Sequence, residues 1–336
     1  MKNFIEKIPK AELHLHIEGS LEPELMFRLA KRNKIKIPYE TVEDVRKAYN
    51  FTNLQSFLDI YYAGAAVLLK KEDFYDLTWE YILQCKKNSI FHAEIFFDPQ
   101  THTQRGVAFE TVIDGISEAL HDAKKEFGIS SEIIMCFLRH LSQEEAFATL
   151  ELSFAHKEKI IAVGLDSSEL GNPPSKFEEV FAKAKEYGYR LVAHAGEEGD
   201  ASYIQEALDV LKVERIDHGV QAIHSIALME RLKKEQIPLT VCPNSNIELK
   251  VFETYKHHDI KKLLDYGLNV CVNSDDPAYF KGYLNQNFIN IYENLNLTKE
   301  EIITLAKNSF NASFCDEKLK KEYINKIDIF VKEYKK

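Results

Sequence analysis

The sequence predicts a single α/β domain that is built as a (β/α)8 barrel, a TIM barrel, with a helical insertion after its first strand. Two observations carry this prediction: eight short apolar segments alternate with segments of helical periodicity, and polar residues recur directly after the apolar segments. Strands that alternate with helices form parallel sheets, and the βα loops of a closed barrel build its active site. We expect the 336 residues to form one such domain over 1–336.

Composition and charge exclude several classes of protein. The formal net charge of −10 disfavours a polyanionic partner such as nucleic acid and leaves small neutral or cationic ligands. Residues 1–10 lack the apolar run of a signal peptide, and no segment has the roughly 18 apolar residues of a membrane span. The five cysteines lack Cys-x-x-Cys spacing. We therefore expect a cytoplasmic protein with reduced thiols, and a homo-oligomer stays open.

The first predicted strand, within residues 11–19, carries His14 and His16. Because alternate residues of a strand point to one face, both imidazoles project the same way. Two histidines on one rigid strand form half of a site for a divalent metal ion. A half-exposed strand with alternating polar residues would show the same pattern, so this segment does not decide the matter alone.

Residues 20 to about 88 are predicted to be helical, in segments 22–31, 54–63 and 73–86. An insertion of this length exceeds a usual strand connection, so we expect part of it to cap a pocket. The aromatic candidates for that cap, for which core packing is the alternative role, are Phe51, Phe57, Tyr61 and Tyr62.

The middle of the chain adds three strands that end in polar residues. The second strand, 91–99, ends at Asp98 and leads into a predicted loop over 100–106. The third, 132–139, and the fourth, 160–169, follow helices over 109–127 and 144–156. The fourth strand ends in Asp166, Ser167, Ser168 and Glu169.

The second half repeats the alternation. Predicted helices cover 176–187, 203–211, 227–235 and 260–266, and the tail from 318 to 336 is expected to dock as a helix. Between the helices, strands at 191–193, 215–219, 238–243 and 268–277 bring four groups to their ends. These groups are His194 with Glu197, His218, Asn244 with Ser245, and Asp275 with Asp276.

Three imidazoles and one carboxylate at predicted strand ends supply a complete ligand set for one zinc ion, with water as a further ligand. They are His14, His16, His194 and Asp275. Zinc lowers the pKa of its bound water to about 7. Glu197 is placed as a general acid or base, His218 orients or deprotonates the water, and Asp276 is left for the substrate. The third and fourth strands contain no lysine to bridge a second ion, which favours one metal per chain.

Four motifs, in this order, resemble the adenosine and adenine deaminase family: His14-x-His16, His194-Ala-Gly-Glu197, His218-Gly219 and Ser274-Asp-Asp-Pro277. The resemblance spans nearly the whole chain. It implies a (β/α)8 barrel, a zinc ion and ligand roles for the same four residues. It further implies that Glu197 protonates purine N1, that His218 assists the attack at C6, and that Asp276 hydrogen-bonds N7 before ammonia leaves.

Departures from the adenosine-acting members point to the adenine deaminase branch. Glu18 stands where those members carry an aspartate that reaches the ribose, and the segment 97–103 followed by Arg105 resembles the adenine branch. The resemblance therefore implies conversion of adenine to hypoxanthine in purine salvage. We expect Glu169, with Ser168 nearby, to accept the ring N–H, and we also assign Asp98 and Glu18 to substrate binding.

Three alternatives stay open at this point. The first is deamination of adenosine or of an N6-substituted adenine, and the second is another mononuclear amidohydrolase that opens an amide or a lactone. The third is a metal-stabilised binding protein, which would need neither Glu197 nor His218 beside the ligands.

Overall fold

A computed structural model of the chain describes residues 1–334, in which eight parallel strands pair in sequence order. The strands are β1 (Lys10–His16), β2 (Ile90–Phe97), β3 (Ser130–Leu138), β4 (Ala162–Asp166), β5 (Arg190–Ala195), β6 (Arg215–His218), β7 (Leu239–Val241) and β8 (Val270–Val272). The sheet closes where Leu15 pairs with Asp275: the His16 N–H donates to the Asp275 carbonyl at 3.0 Å, and the Asp275 N–H donates to the His14 carbonyl at 3.1 Å. The predicted (β/α)8 barrel is confirmed.

Sixteen helices surround the barrel within these residues. They are α1 (Lys2–Lys7), α2 (Pro23–Asn33), α3 (Val42–Ala48), α4 (Leu54–Ala65), α5 (Lys71–Lys87), α6 (Pro99–Thr103), α7 (Phe109–Phe127), α8 (Gln143–Phe154), α9 (Glu178–Glu186), α10 (Ala201–Glu206), α11 (Ile226–Glu235), α12 (Pro243–Glu248), α13 (Ile260–Tyr266), α14 (Leu284–Leu295), α15 (Lys299–Asn311) and α16 (Glu317–Tyr334). None of these helices has the length and apolar content needed to cross a bilayer.

The barrel interior explains why its strands are apolar runs. All seven residues of β1 are buried, because a parallel strand in a closed barrel has side chains against the interior on one face and against helices on the other. A charged pair also lies inside: the Arg215 guanidinium on β6 donates to the Glu94 carboxylate on β2 at 2.5 Å, and both side chains are fully buried.

The insertion after β1 serves two purposes. Its last helix, α5, packs against α7 and β2 as an ordinary outer helix of the barrel. Its third helix, α4, instead covers the carboxyl ends of the strands, where Phe57, Tyr61 and Tyr62 face a cavity. Phe51 packs in the core against Phe57 and Phe280. The cap is therefore α4 and not the whole segment 20–88.

Other departures from the predicted elements have local causes. The expected loop over 100–106 begins as helix α6, because Pro99 directly after β2 supplies the fixed φ that starts a helix. The helix predicted over 203–211 changes at Ala207 into a wider π-helical turn. The terminal helix α16 docks as expected, with Tyr323 stacked on Phe310 at 4.9 Å, whereas 335–336 lie outside the described residues.

Candidate active site

The four predicted metal ligands converge at the carboxyl end of the barrel. Nε2 of His16 lies 3.1 Å from Nε2 of His194 and 3.5 Å from Oδ1 of Asp275, and Nε2 of His14 lies 3.5 Å from the same oxygen. Each of the four side chains is at most 7% exposed. Strands β1 and β5 and the turn after β8 thus deliver three imidazoles and a carboxylate to one point.

The far nitrogen of each imidazole faces an acceptor, which turns Nε2 inward. The His14 Nδ1–H donates to the Thr240 carbonyl at 3.1 Å, and Nδ1 of His16 lies 3.4 Å from Oδ2 of Asp166. Nδ1 of His194 lies 3.8 Å from Oδ2 of Asp217. Histidines that hold a metal ion are oriented in this way by outer carboxylates and carbonyls.

The donor set fits a divalent cation of the zinc type. Nε2 of His14 is buried and, among the described residues, has no hydrogen-bond partner. Two nitrogens that each lie about 2.0–2.1 Å from one tetrahedral ion are roughly 3.3 Å apart, close to the separation of the His16 and His194 nitrogens. A soft ion with imidazole preference therefore suits this point.

Proximity alone also brings His218 into the set, because His14, His194, His218 and Asp275 offer donor atoms within 4.8 Å of one another. Both imidazoles lie near Asp275. Nε2 of His218 is 3.6 Å from Asp275 Oδ2 and 3.5 Å from Glu197 Oε2, and Nε2 of His16 is 3.5 Å from Asp275 Oδ1 and 3.1 Å from Nε2 of His194. The distances alone therefore allow either His16 or His218 beside the other three donors.

The turns at the site adopt backbone conformations that most residues avoid. His218 has a φ of 66° and Asp275 a φ of 64°, both in the left-handed region. Strain of this kind is maintained at functional sites by the surrounding structure. At both positions the chain turns sharply after its strand and leaves the side chain over the barrel mouth.

Glu197 and Asp276 are buried carboxyl groups without a full set of partners. Oε1 of Glu197 and Oδ1 of Asp276 have no hydrogen-bond partner among the described residues. Burial, reinforced by the negative charge of Asp275, raises the pKa of both groups well above the ordinary range. Each carboxyl therefore favours a proton. A Cβ on Gly19 would overlap the Asp276 side chain, so only glycine lets the turn after β1 pass there.

A cavity opens beside these groups at the carboxyl ends of the strands. Its polar side carries Glu197, His218, Asp275, Asp276 and Asp98. Its opposite wall is apolar and aromatic, and is formed by Leu54, Phe57, Leu58, Tyr61, Tyr62, Leu249 and Phe280. A flat ring of modest size matches a cleft with one apolar wall and several converging carboxyl groups.

The predicted substrate role of Glu169 is wrong. Its carboxylate accepts hydrogen bonds from the backbone N–H groups of Gly196, Glu197, Glu198 and Gly199 at 2.7 to 3.0 Å, and it is 1% exposed. Both oxygens are therefore directed into the loop after β5 and away from the cavity. Ser168 likewise turns outward, because its hydroxyl donates to Gln55 at 3.0 Å, and Ser167 lines the cavity in its place.

Glu18 also lies behind the cavity wall and not on it. Its carboxylate contacts the His102 ring nitrogen at 2.7 Å and accepts the Asp98 N–H at 3.2 Å. It supports Asp98, which does line the cavity and which also accepts a hydrogen bond from Tyr61 at 3.3 Å. Of the substrate-binding candidates, Asp276 and Asp98 thus face the cavity.

Sequence reasoning missed two residues beside His218, namely Asn246 and His258. The side-chain amide of Asn246 lies 3.4 Å from Nδ1 of His218, and its oxygen lies 3.2 Å from Nε2 of His258. The available signal was the polar run after the seventh strand, because loops after barrel strands build the site.

Comparison with known proteins gives full-length matches. The family model described as adenosine deaminase matches residues 9–330. A protein of Psychrobacter cryohalolentis named adenine deaminase is 72% identical over 328 residues, covering 98% of this chain and 99% of the relative. Another of that name, from Wolinella succinogenes, is 60% identical, covering 97% and 99%. A crystal structure of adenine deaminase from Arthrobacter aurescens superposes with a TM-score of 0.95 at 50% identity, covering 97% and 99%.

Proposed function

This chain belongs to the adenosine deaminase family, and we propose that it hydrolyses adenine to hypoxanthine and ammonia with the help of one zinc ion. The adenine deaminases that it resembles at 60% and 72% identity cover nearly its entire length, which supports the same activity here. The observation that carries the proposal is the cavity whose polar side joins the His and Asp donors to the Glu197 carboxyl, whose Oε1 has no hydrogen-bond partner among the described residues.

We assign the zinc ligands to His14, His16, His194 and Asp275, as the family resemblance implies, because Nε2 of His14 and of His16 each lie 3.5 Å from Asp275 Oδ1 and Nε2 of His16 lies 3.1 Å from Nε2 of His194. Zinc bound there would lower the pKa of a coordinated water to about 7, so that the nucleophile forms at neutral pH. The Thr240 carbonyl bonds the outer nitrogen of His14, and the carboxylates of Asp166 and Asp217 lie 3.4 and 3.8 Å from the outer nitrogens of His16 and His194, on the side where such groups orient metal-binding imidazoles.

Glu197 moves the protons of the reaction. Its protonated form gives a proton to N1 of the ring while hydroxide, formed when water loses a proton to solvent, adds to C6. The resulting carboxylate then takes the hydroxyl proton of the adduct and passes it to the amino group, so the C6–N bond breaks and ammonia leaves. A proton from solvent then restores the Glu197 carboxyl. A carboxyl whose pKa is raised by burial suits this exchange near neutral pH.

Two carboxyl groups orient the ring. Asp276, which favours its protonated form, donates to N7, and the unpartnered Oδ1 of Asp276 is the atom available for that bond. Asp98 takes over the role first expected of Glu169. Burial and the charges of Asp166 and Glu18 raise the pKa of this carboxyl, and its Oδ1, which has no hydrogen-bond partner among the described residues, is left to accept the ring N–H of the free base. A nucleoside lacks that hydrogen and would leave the carboxyl unpaired, which costs about 1–3 kcal/mol.

Steady-state comparison of adenine with adenosine tests the function. We expect ammonia release from adenine with a kcat/KM far above that for adenosine, and Asp98→Ala should narrow the difference because it removes the acceptor of the ring N–H. Equal or faster turnover of adenosine would refute the assignment to the free base. No ammonia from either substrate would refute deamination.

We further propose that the protein works in the cytoplasm on a small purine and does not bind nucleic acid. The net charge of −10 supports this, because it repels polyanions. Zinc content of one equivalent per chain, measured by elemental analysis, would match the single set of four ligands that we propose.

A further inference from the structure

A chain of three side chains leads from His218 away from the cavity and ends on a backbone amide. The Ile260 N–H donates to Nδ1 of His258 at 3.1 Å. Nε2 of His258 lies 3.2 Å from Oδ1 of Asn246, and the Asn246 amide nitrogen lies 3.4 Å from Nδ1 of His218. We call these three side chains, with the Ile260 amide, the relay.

The outer end of the relay fixes the direction of every bond in it. A backbone N–H can only donate, so Nδ1 of His258 is an acceptor and the proton of a neutral ring sits on Nε2. The Nε2–H of His258 requires an acceptor, so the Asn246 oxygen faces His258 and the Asn246 NH2 group faces His218. Nδ1 of His218 then accepts, and its proton must sit on Nε2.

The relay is sealed from water, so nothing competes with these bonds. His218, Asn246 and His258 are at most 2% exposed. The ring of His258 packs on Phe252 with centroids 4.5 Å apart, and burial lowers its pKa to about 3. His258 is therefore neutral at physiological pH, as the direction of the relay requires.

We infer that Asn246 and His258 are positioning residues that hold His218 as its Nε2–H tautomer, so that His218 donates a hydrogen bond at the cavity. This rests on the proposed function. The Nε2–H points at Glu197 and Asp275, where the attacking oxygen must pass. Because the only lone pair of the ring faces the Asn246 NH2, His218 orients that oxygen but takes no proton from it. Glu197 is then the proton acceptor at the cavity.

The tautomer is measured directly on the wild-type zinc enzyme by nitrogen-15 NMR with labelled histidine. His218 is assigned from the signals that disappear in His218→Asn. We expect Nε2 to resonate as an N–H nitrogen and Nδ1 as an unprotonated acceptor. The opposite pattern in an enzyme that releases ammonia from adenine overturns the inference. An enzyme that releases none refutes the proposed function instead.

Substitutions test the consequence for turnover. Asn246→Asp replaces the NH2 group by an acceptor, which forces the His218 proton onto Nδ1 and presents a lone pair to the cavity. We expect kcat to fall by about 10²–10⁴, since the wrong histidine tautomer costs about 10⁴ in a serine protease triad. KM and zinc content should stay at their wild-type values. In the nitrogen-15 spectrum, Nδ1 of His218 should become the N–H nitrogen and Nε2 the unprotonated one.

His258→Phe removes the outer donor at similar volume and should lower kcat less, because Asn246 is then free to turn either way. His257→Phe is the matched control, since His257 is the neighbouring exposed imidazole and should leave kcat unchanged. If Asn246→Asp binds zinc and keeps wild-type kcat, the relay does not set the donor role. Should that variant fail to fold, the wild-type spectrum still decides.

Discussion

Glu197 is the group whose chemistry depends most on what surrounds it. A solvent-exposed glutamate is ionised at neutral pH and delivers no proton. Burial beside the charge of Asp275 raises the pKa of Glu197 well above the ordinary value of a glutamate. It contacts His218 at 3.5 Å and follows His194 by three residues, so it lies beside the proposed ligands and is not one of them. Proton transfer and metal binding are therefore separable at this residue.

We predict that Glu197→Gln keeps one zinc ion and loses nearly all turnover, because an amide of the same shape cannot deliver the proton to N1. The loss in kcat should be about 10²–10⁴. Elemental analysis and ammonia release measure the two effects. Glu178→Gln, on the exposed face of α9, serves as the control. A variant without zinc, or one that retains turnover, would contradict the role of Glu197.

At the scale of elements, the loop after β5 is held by a single carboxylate. Four successive backbone N–H groups, from Gly196 to Gly199, donate hydrogen bonds to the Glu169 carboxylate. These bonds fix the backbone of Glu197 and of the residues on either side of it. Backbone amides that converge in this way form a concave anion site. A side chain of the loop after β4 thus sets the position of Glu197, the proposed proton donor, in the neighbouring loop after β5.

We expect Glu169→Gln to lower both the free energy of unfolding and kcat. The amide NH2 would face backbone donors, and each group left unsatisfied costs about 1–3 kcal/mol. Denaturant unfolding measures the stability, and hydrogen exchange should become faster at the four amides of 196–199. Glu178→Gln is again the control. Unchanged exchange at those amides together with normal kcat would show that Glu169 does not hold the loop.

The elements that sequence alone predicted are those with a clear periodicity. Helix α7 matches its predicted bounds because an amphipathic pattern runs to Gly128, which ends it with a φ of 70°. Helices α6 and α12 have only five and six residues, too few to show a period, and each instead begins at a proline after its strand. Helices α14 and α15, which follow the last strand, were not anticipated.

The predicted site divides along a similar line. The metal donors, Glu197, His218 and Asp276 come together because the carboxyl ends of barrel strands share one face, a rule that strand order alone supplies. Glu169 obeys the same rule, yet a carboxylate at a strand end can rotate to the cavity or to the next loop. Sequence spacing does not encode that rotation. Asn246 and His258 were missed since their link to His218 runs through side-chain contacts alone.

For the molecule as a whole, the charged pair inside the barrel links stability to pH. Burial alone would raise the pKa of Glu94, but the charge of Arg215 and the hydrogen bond from His92 outweigh it and lower the pKa to about 2. A carboxyl with a lowered pKa contributes stability above its unfolded value of 4.5 and loses that contribution as the pH falls toward 2. The pKa of His92 is raised to about 9, so its contribution is complete below 6.5 and is lost only toward alkaline pH.

Glu94→Gln should therefore be less stable than wild type at pH 7, and the difference should shrink as the pH falls from about 4.5. The contribution is on the order of 3 kcal/mol, from the size of the pKa shift. Acid releases zinc from both proteins alike, so the difference in unfolding free energy between them isolates Glu94. A difference that stays constant between pH 5 and pH 3 would argue against this account.

The four proposed metal donors are synthesised at different times, because they lie near opposite ends of the chain. His14 leaves the ribosome early, whereas Asp275 follows β8, the strand that must pair with β1 to close the barrel. At about 5–20 residues per second, the first ligands wait for tens of seconds before the last one is synthesised. A nascent chain that ends before Asp275 does not contain all four donors. If all four donors hold the metal ion as we propose, the complete site forms only when β8 has paired with β1, and a bound ion would report that the barrel has closed.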